Sequence, residues 1–88
     1  MIELWDFYAE WCPPCQTMAP IFEEVEKEFA GRVEFKKIDV DKSPTEAAKF
    51  KVLSVPTFVV LKEGQEVERK VGALSKEVLQ SWMEENLL

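Results

Sequence analysis

The 88-residue chain contains no histidine. That absence excludes a Ser-His or Cys-His catalytic pair and any mixed Cys/His zinc site. Cysteine is nearly as scarce, with two residues. Two are too few for a four-thiolate metal site within one chain, or for the framework of a disulfide-rich secreted miniprotein. No apolar stretch approaches the roughly twenty residues of a membrane span. Residues 1–20 show no basic start followed by an apolar core, so no secretory signal is visible and the cytoplasm is the default setting. Basic residues are outnumbered, and the net charge of −6 argues against nucleic acid and anionic membranes as partners. Repeats, low-complexity tracts and linkers are missing as well. What is present is an ordinary globular composition, 47% hydrophobic and 32% charged, at a length that suits a single domain over residues 1–88.

Periodicity divides the chain into seven elements. Ile2 to Tyr8 is rich in aromatic and branched residues and reads as a buried strand. From Cys15 onward Met18, Phe22, Val25 and Phe29 recur at helical spacing, and Gly31 suits a left-handed cap that closes the helix. Val33 to Val40 reads as a second strand whose imperfect alternation leaves room for a bulge. Ser43-Pro44-Thr45-Glu46 carries helix-start chemistry, with serine as N-cap, and predicts a short helix to about Phe50. Thr57 to Leu61 is a continuous apolar strand. Lys62 to Gln65 supplies a turn, and Glu66 to Val71 returns as a more charged strand at an edge. Gly72 breaks it, and Ser75 caps a last helix with Val78, Leu79, Trp82 and Leu87 inward. The order is βαβαββα, an α/β pattern: the first two strands are parallel across a helical crossover, and the last two form a hairpin.

The two cysteines sit in Trp11-Cys12-Pro13-Pro14-Cys15, where the first strand gives way to the long helix. A thiolate there faces the free N–H groups and the positive end of the helix dipole. The dipole contributes about 0.3–1 kcal/mol when exposed, short of the roughly 1.4 kcal/mol that one pKa unit requires. Hydrogen bonds to the sulfur must supply anything larger. With Cys12 as N-cap, Cys15 is the third helical residue and its N–H points at the cap side chain. Pro13 and Pro14 then fill the first two helical positions, where a missing N–H breaks no bond. This places Cys12 as the exposed nucleophile and Cys15 as the shielded resolving thiol of a dithiol/disulfide pair. The competing reading is half of a zinc or iron–sulfur site shared by two chains, which the two prolines and the strand-to-helix context disfavour.

Asp6 lies in the middle of the apolar first strand, where a carboxylate is costly unless paired. Desolvation would raise its pKa and make it a proton carrier for the thiols, with Lys37 as its partner; the alternative is an Asp6 pointing to solvent. Trp11 fits either a core position or an exposed docking surface. Pro56, just before an apolar strand, is expected to be trans on sequence alone.

Taken together these residues resemble the thioredoxin family. Residues 6–15, Asp-Phe-Tyr-Ala-Glu-Trp-Cys-Pro-Pro-Cys, are similar to its active-site run, with Pro13 where the family usually has glycine. Pro20 matches the proline that bends the family's active-site helix. Ser54-Val55-Pro56-Thr57 resembles the segment that holds its cis-proline, and Val71 to Lys76 resembles its late glycine turn. The resemblance implies a thioredoxin-like fold, a cis Pro56, a buried Asp6 with Lys37 beside it, and a substrate groove of Trp11, Val55, Pro56, Gly72 and Ala73. An extended substrate segment would pair with the backbone around Val55. Thioredoxins normally begin with an extra strand and helix that this chain lacks. Its core is therefore expected to be a four-stranded mixed sheet, ordered second-first-third-fourth and flanked by three helices.

The function implied is a thiol–disulfide oxidoreductase, a general protein-disulfide reductase that needs no bound cofactor or metal. Its partners would be disulfide-bearing proteins and a thioredoxin-reductase-type electron donor. The charged Glu34, Lys36 and Lys37 on the second strand suit an open edge and a monomer. A glutathione-dependent glutaredoxin fits the size, but the Val55-Pro56 and Gly72-Ala73 segments look like thioredoxin.

Overall fold

A computed structural model describes residues 1–88. The run from Ile2 is strand β1 (Ile2–Tyr8), followed by helix α1 (Pro13–Glu28), β2 (Val33–Asp39), α2 (Pro44–Lys49), β3 (Thr57–Lys62), β4 (Gln65–Val71) and α3 (Lys76–Leu87). The strands form one mixed sheet in the order β2-β1-β3-β4. β2 runs parallel to β1, with Ile2 opposite Val33 and Tyr8 opposite Asp39, while β3 is antiparallel to both β1 and β4. This is the α/β architecture and strand order that the sequence predicts.

Apolar residues are covered on both faces of the centre of the sheet. On one face Leu4, Phe58 and Val60 pack with Met18, Phe22 and Val25 of α1 and with Leu79, Trp82 and Met83 of α3. On the other, Phe7, Val59 and Leu61 gather Trp5, Ile38 and Phe50. β3 is buried on both sides, which explains why it reads as an unbroken apolar run. The two marginal strands carry the charge, as edge strands do.

Several local expectations are corrected. The bulge lies between β3 and β4 at Val60/Leu61, and β2 pairs without interruption. The polar residues of β2 need no bulge because two of them lie over aromatic rings of β1. Lys36 Nζ is 4.9 Å from the Trp5 ring centroid, and Lys37 Nζ is 4.7 Å from that of Tyr8. Ser43 stands at the N-cap of α2 without a side-chain cap bond. Asp39 instead turns the chain there, its Oδ1 accepting from the N–H groups of Asp41 (2.9 Å) and Lys42 (3.3 Å). In α3 the buried residues are Leu79, Trp82, Met83 and Asn86, with Leu87 partly buried against the core, whereas Val78 is 45% exposed at the first turn. Asn86 tolerates burial because its Nδ2 donates to Glu68 Oε1 (3.0 Å) and to the Trp82 carbonyl (2.9 Å). No helix is long and apolar enough to cross a membrane.

Candidate active site

β1 ends at Tyr8, and four residues later the chain enters α1 at Cys12. The intervening turn is held by the Cys12 N–H on the Ala9 carbonyl (3.3 Å) and by Gln16 Nε2 on the Glu10 carbonyl (2.9 Å). Cys12 has extended backbone angles (φ −94°, ψ 109°) and is the N-cap, while Pro13 and Pro14 take the first two helical positions. Its Sγ accepts the Cys15 N–H at 3.2 Å. Three residues of helix bring the two Cα atoms to 5.2 Å, and Cys12 and Cys15 are joined as a disulfide. Pro20, inside α1, has no N–H to offer the Gln16 carbonyl one turn back.

The exposure of the two cysteines differs from expectation. In the disulfide both residues are buried, Cys12 at 2% and Cys15 at 6% exposure, so Cys12 is not the more open of the pair. They pack with Ala9, against Tyr8, Val40 and Val55. Cys15 lines a recess of about 220 Å³ whose other walls include Tyr8, Gln16 and Lys37.

The segment before β3 reaches the disulfide from the other side. The Val55–Pro56 peptide is cis, the geometry implied by the resemblance and not by the residue statistics. The Val55 carbonyl oxygen lies 3.7 Å from Cys12 Sγ. The Gly72 N–H donates to the Pro56 carbonyl at 2.9 Å, which requires the chain to turn through a positive φ of +97° at Gly72. Ala73 follows, exposed. Trp11 is 67% exposed and thus belongs to the surface, its indole N–H donating to Asp41 Oδ2 at 2.8 Å. With Val40, Val52, Leu53 and Val55 it rims an apolar recess of about 140 Å³. Val55, Pro56 and Gly72 are thus drawn together beside Cys12, with Trp11 on the flank nearest Val55.

Asp6 is buried, at 2% exposure, and its Oδ1 has no hydrogen-bond partner. Loss of hydration raises its pKa to about 7, against an opposing pull from the charge of Lys37. Lys37 sits directly across from Asp6 in the β1–β2 register, and no ion pair joins them.

The thioredoxin family model matches residues 2–85. The chain belongs to the thioredoxin family. Thioredoxins of Staphylococcus aureus, those of strains Mu50 / ATCC 700699 and MW2 among them, are 42% identical to it over 86 residues, which is 98% of this chain and 83% of theirs. With that membership and a Cys12–Cys15 disulfide at the start of α1, the protein is a thiol–disulfide oxidoreductase. Sequence reasoning missed Val40 and Asp41 as neighbours of this thioredoxin-type centre. Asp41 lies just before Ser43-Pro44-Thr45-Glu46, which reads as helix-start chemistry and hides its reach to Trp11 30 residues away.

Proposed function

We propose that this thioredoxin-family protein is a general protein-disulfide reductase, acting as one domain across residues 1–88 in the cytoplasm. The observation that carries the reading is the Cys12 sulfur as N-cap, accepting the Cys15 N–H at 3.2 Å with the Val55 carbonyl 3.7 Å away. A backbone donor aimed at Cys12 favours its thiolate. The neighbouring carbonyl offers a substrate strand a pairing group beside the reacting sulfur.

In the reduced protein the Cys12 thiolate attacks one sulfur of a substrate disulfide. A mixed disulfide forms and the first substrate thiolate leaves. Asp6 in its ionised form accepts the proton of the Cys15 thiol, and Lys37 tunes that carboxylate. The Cys15 thiolate then attacks Cys12 Sγ and releases the second substrate thiolate. Two protons are taken up by the departing thiolates, so one substrate disulfide becomes two thiols and Cys12–Cys15 becomes the disulfide. Trp11, Val55, Pro56, Gly72 and Ala73 form the groove for the substrate segment. A thioredoxin-reductase-type donor returns two electrons.

Equilibration of the Cys12–Cys15 couple against a glutathione redox series tests the direction. The expected reduction potential lies well below the glutathione poise. A value well above it would make the protein an oxidant. Turnover that depends on glutathione mixed disulfides would make it a glutaredoxin in function.

A further inference from the structure

The lip of the proposed groove is Gly72-Ala73-Leu74, the link between β4 and α3. It belongs to neither element, so the regular hydrogen bonds of strand and helix do not hold it. Two backbone donors tie it down. The Gly72 N–H bonds to the Pro56 carbonyl at 2.9 Å. The Leu74 N–H bonds to a side chain, the thioether sulfur of Met18, at 3.2 Å. Met18 is fully buried in α1, three residues beyond Cys15 and hence on the same side of the helix.

An apolar residue that served only as core filler would be equally well supplied as leucine or isoleucine. Neither offers an acceptor, and the sulfur of methionine does, weakly. The helix that carries the disulfide is thereby joined by a directional bond to the strip that flanks the groove. We infer that Met18 is a positioning residue, whose sulfur fixes the Gly72–Leu74 lip relative to Cys12 so that a protein substrate meets a preformed groove.

This inference rests on the groove proposed above. A lip released from Met18 populates the binding-competent arrangement only part of the time, and apparent affinity falls by that fraction. The sulfur takes no part in the thiol–disulfide steps, so their rates and equilibrium stay as they are.

The test compares the parent with Met18→Leu, and with a Met83→Leu chain in which norleucine replaces the remaining methionines. Norleucine exchanges the sulfur for a methylene and preserves the shape, so it decides the matter even if Met18→Leu does not fold. Selenomethionine in the same Met83→Leu chain retains an acceptor. Loss of the bond should speed hydrogen exchange at the Leu74 amide, and should raise KM for a disulfide-bearing protein roughly two- to ten-fold, the range of a single hydrogen bond. The kcat, the reduction potential and the rate with a small aryl disulfide should hold, and selenomethionine should restore KM. Faster exchange with unchanged KM would overturn the positioning role while leaving the reductase reading intact. Parallel loss of turnover on the small disulfide would also overturn it, because Met18 would then act on the reaction centre.

Discussion

Lys37 stands opposite Asp6 across the β1–β2 pair, yet the two do not form an ion pair. The lysine spreads over the Tyr8 ring, 4.7 Å from its centroid, while Asp6 Oδ1 is left without a partner. The carboxylate therefore feels a positive charge without being neutralised by contact. Burial outweighs that charge and the pKa rises to about 7. A fully paired Asp6 would be pinned as an anion, and an Asp6 remote from any cation would be pinned as an acid. This arrangement leaves it able to change protonation near neutral pH, as the proposed acceptor of the Cys15 proton must.

Asp6→Asn should alter the pH dependence of stability. The unfolded carboxyl titrates near 3.9 and the folded one near 7, so between those values the folded state holds the extra proton. The Asp6 contribution to the parent's stability should then fall as pH rises through that window and level off above it, by a total of about 4 kcal/mol at most. A buried amide left without partners costs about 1–3 kcal/mol. The asparagine variant should thus be the more stable protein at pH 8 and should lose that advantage by pH 4, while turnover falls near neutral pH. Urea midpoints at both pH values check this. A variant with full activity and the parent's pH slope would make Asp6 purely structural.

The architecture was legible in the residues because its signals are local or periodic. The unbroken apolar run of β3, the proline pair that starts α1 and the Lys62–Gln65 turn each declare an element without reference to the rest of the fold. The burial of Cys12 was not legible. It comes with the packing of the Ala9–Cys12–Cys15 cluster against Val40 and Val55, which lie 28 and 43 residues from Cys12 and reach the cluster only after the sheet forms. The bond from Trp11 to Asp41 was hidden for the same reason. Ser43 shows the opposite failure, a valid local signal overridden because Asp39 already turns that stretch of chain. The cis geometry of Pro56 came from family resemblance, and residue statistics pointed the other way.

The division of labour between the cysteines is separable by substitution. Cys12→Ser should abolish reduction of a protein disulfide, since serine can still cap the helix by accepting the Cys15 N–H but offers no thiolate to attack the substrate disulfide. Cys15→Ser should leave the attacking thiolate and remove the resolving one, so that a mixed disulfide with substrate accumulates and survives non-reducing electrophoresis. Retained turnover in Cys12→Ser, with fast alkylation at Cys15, would reverse the assigned roles.

Asp41→Ala should weaken protein substrates without touching the thiol chemistry. The Trp11 indole is largely exposed, and its hydrogen bond to Asp41 is the polar tie that holds it beside the recess it shares with Val55, on the flank of the proposed groove. A hydrogen bond in that setting is worth about 1 kcal/mol, so KM should rise about two- to five-fold with kcat unchanged. Asp41→Asn keeps a carbonyl acceptor and should behave as the parent. Equal KM in all three proteins would show that the bond to Asp41 does not set the position of the ring.

Lys37→Met tests whether Lys37 tunes Asp6 through space. The substitution keeps an apolar stem of similar length over Tyr8 and deletes the charge. Lys37 lowers the Asp6 pKa, against the larger effect of burial, so its removal must move that pKa upward from about 7. Two consequences follow from the sign. The carboxylate is the proposed proton acceptor, so the acid limb of the turnover profile should shift to higher pH. Ionised Asp6 also loses an attraction in the folded state, so the variant should be less stable than the parent at pH 8, and the difference should shrink toward pH 4, where Asp6 is neutral in both and only the lost contact with Tyr8 remains. A carbon-13 titration of the Asp6 carboxyl reads the pKa directly. In an Asp6→Asn background the same lysine substitution should leave the profile unmoved, because the group it acts on is absent. An Asp6 carboxyl that titrates at the parent value in Lys37→Met would separate the two residues, and any change in turnover would then have to come from the walls of the Cys15 recess, to which Lys37 also belongs.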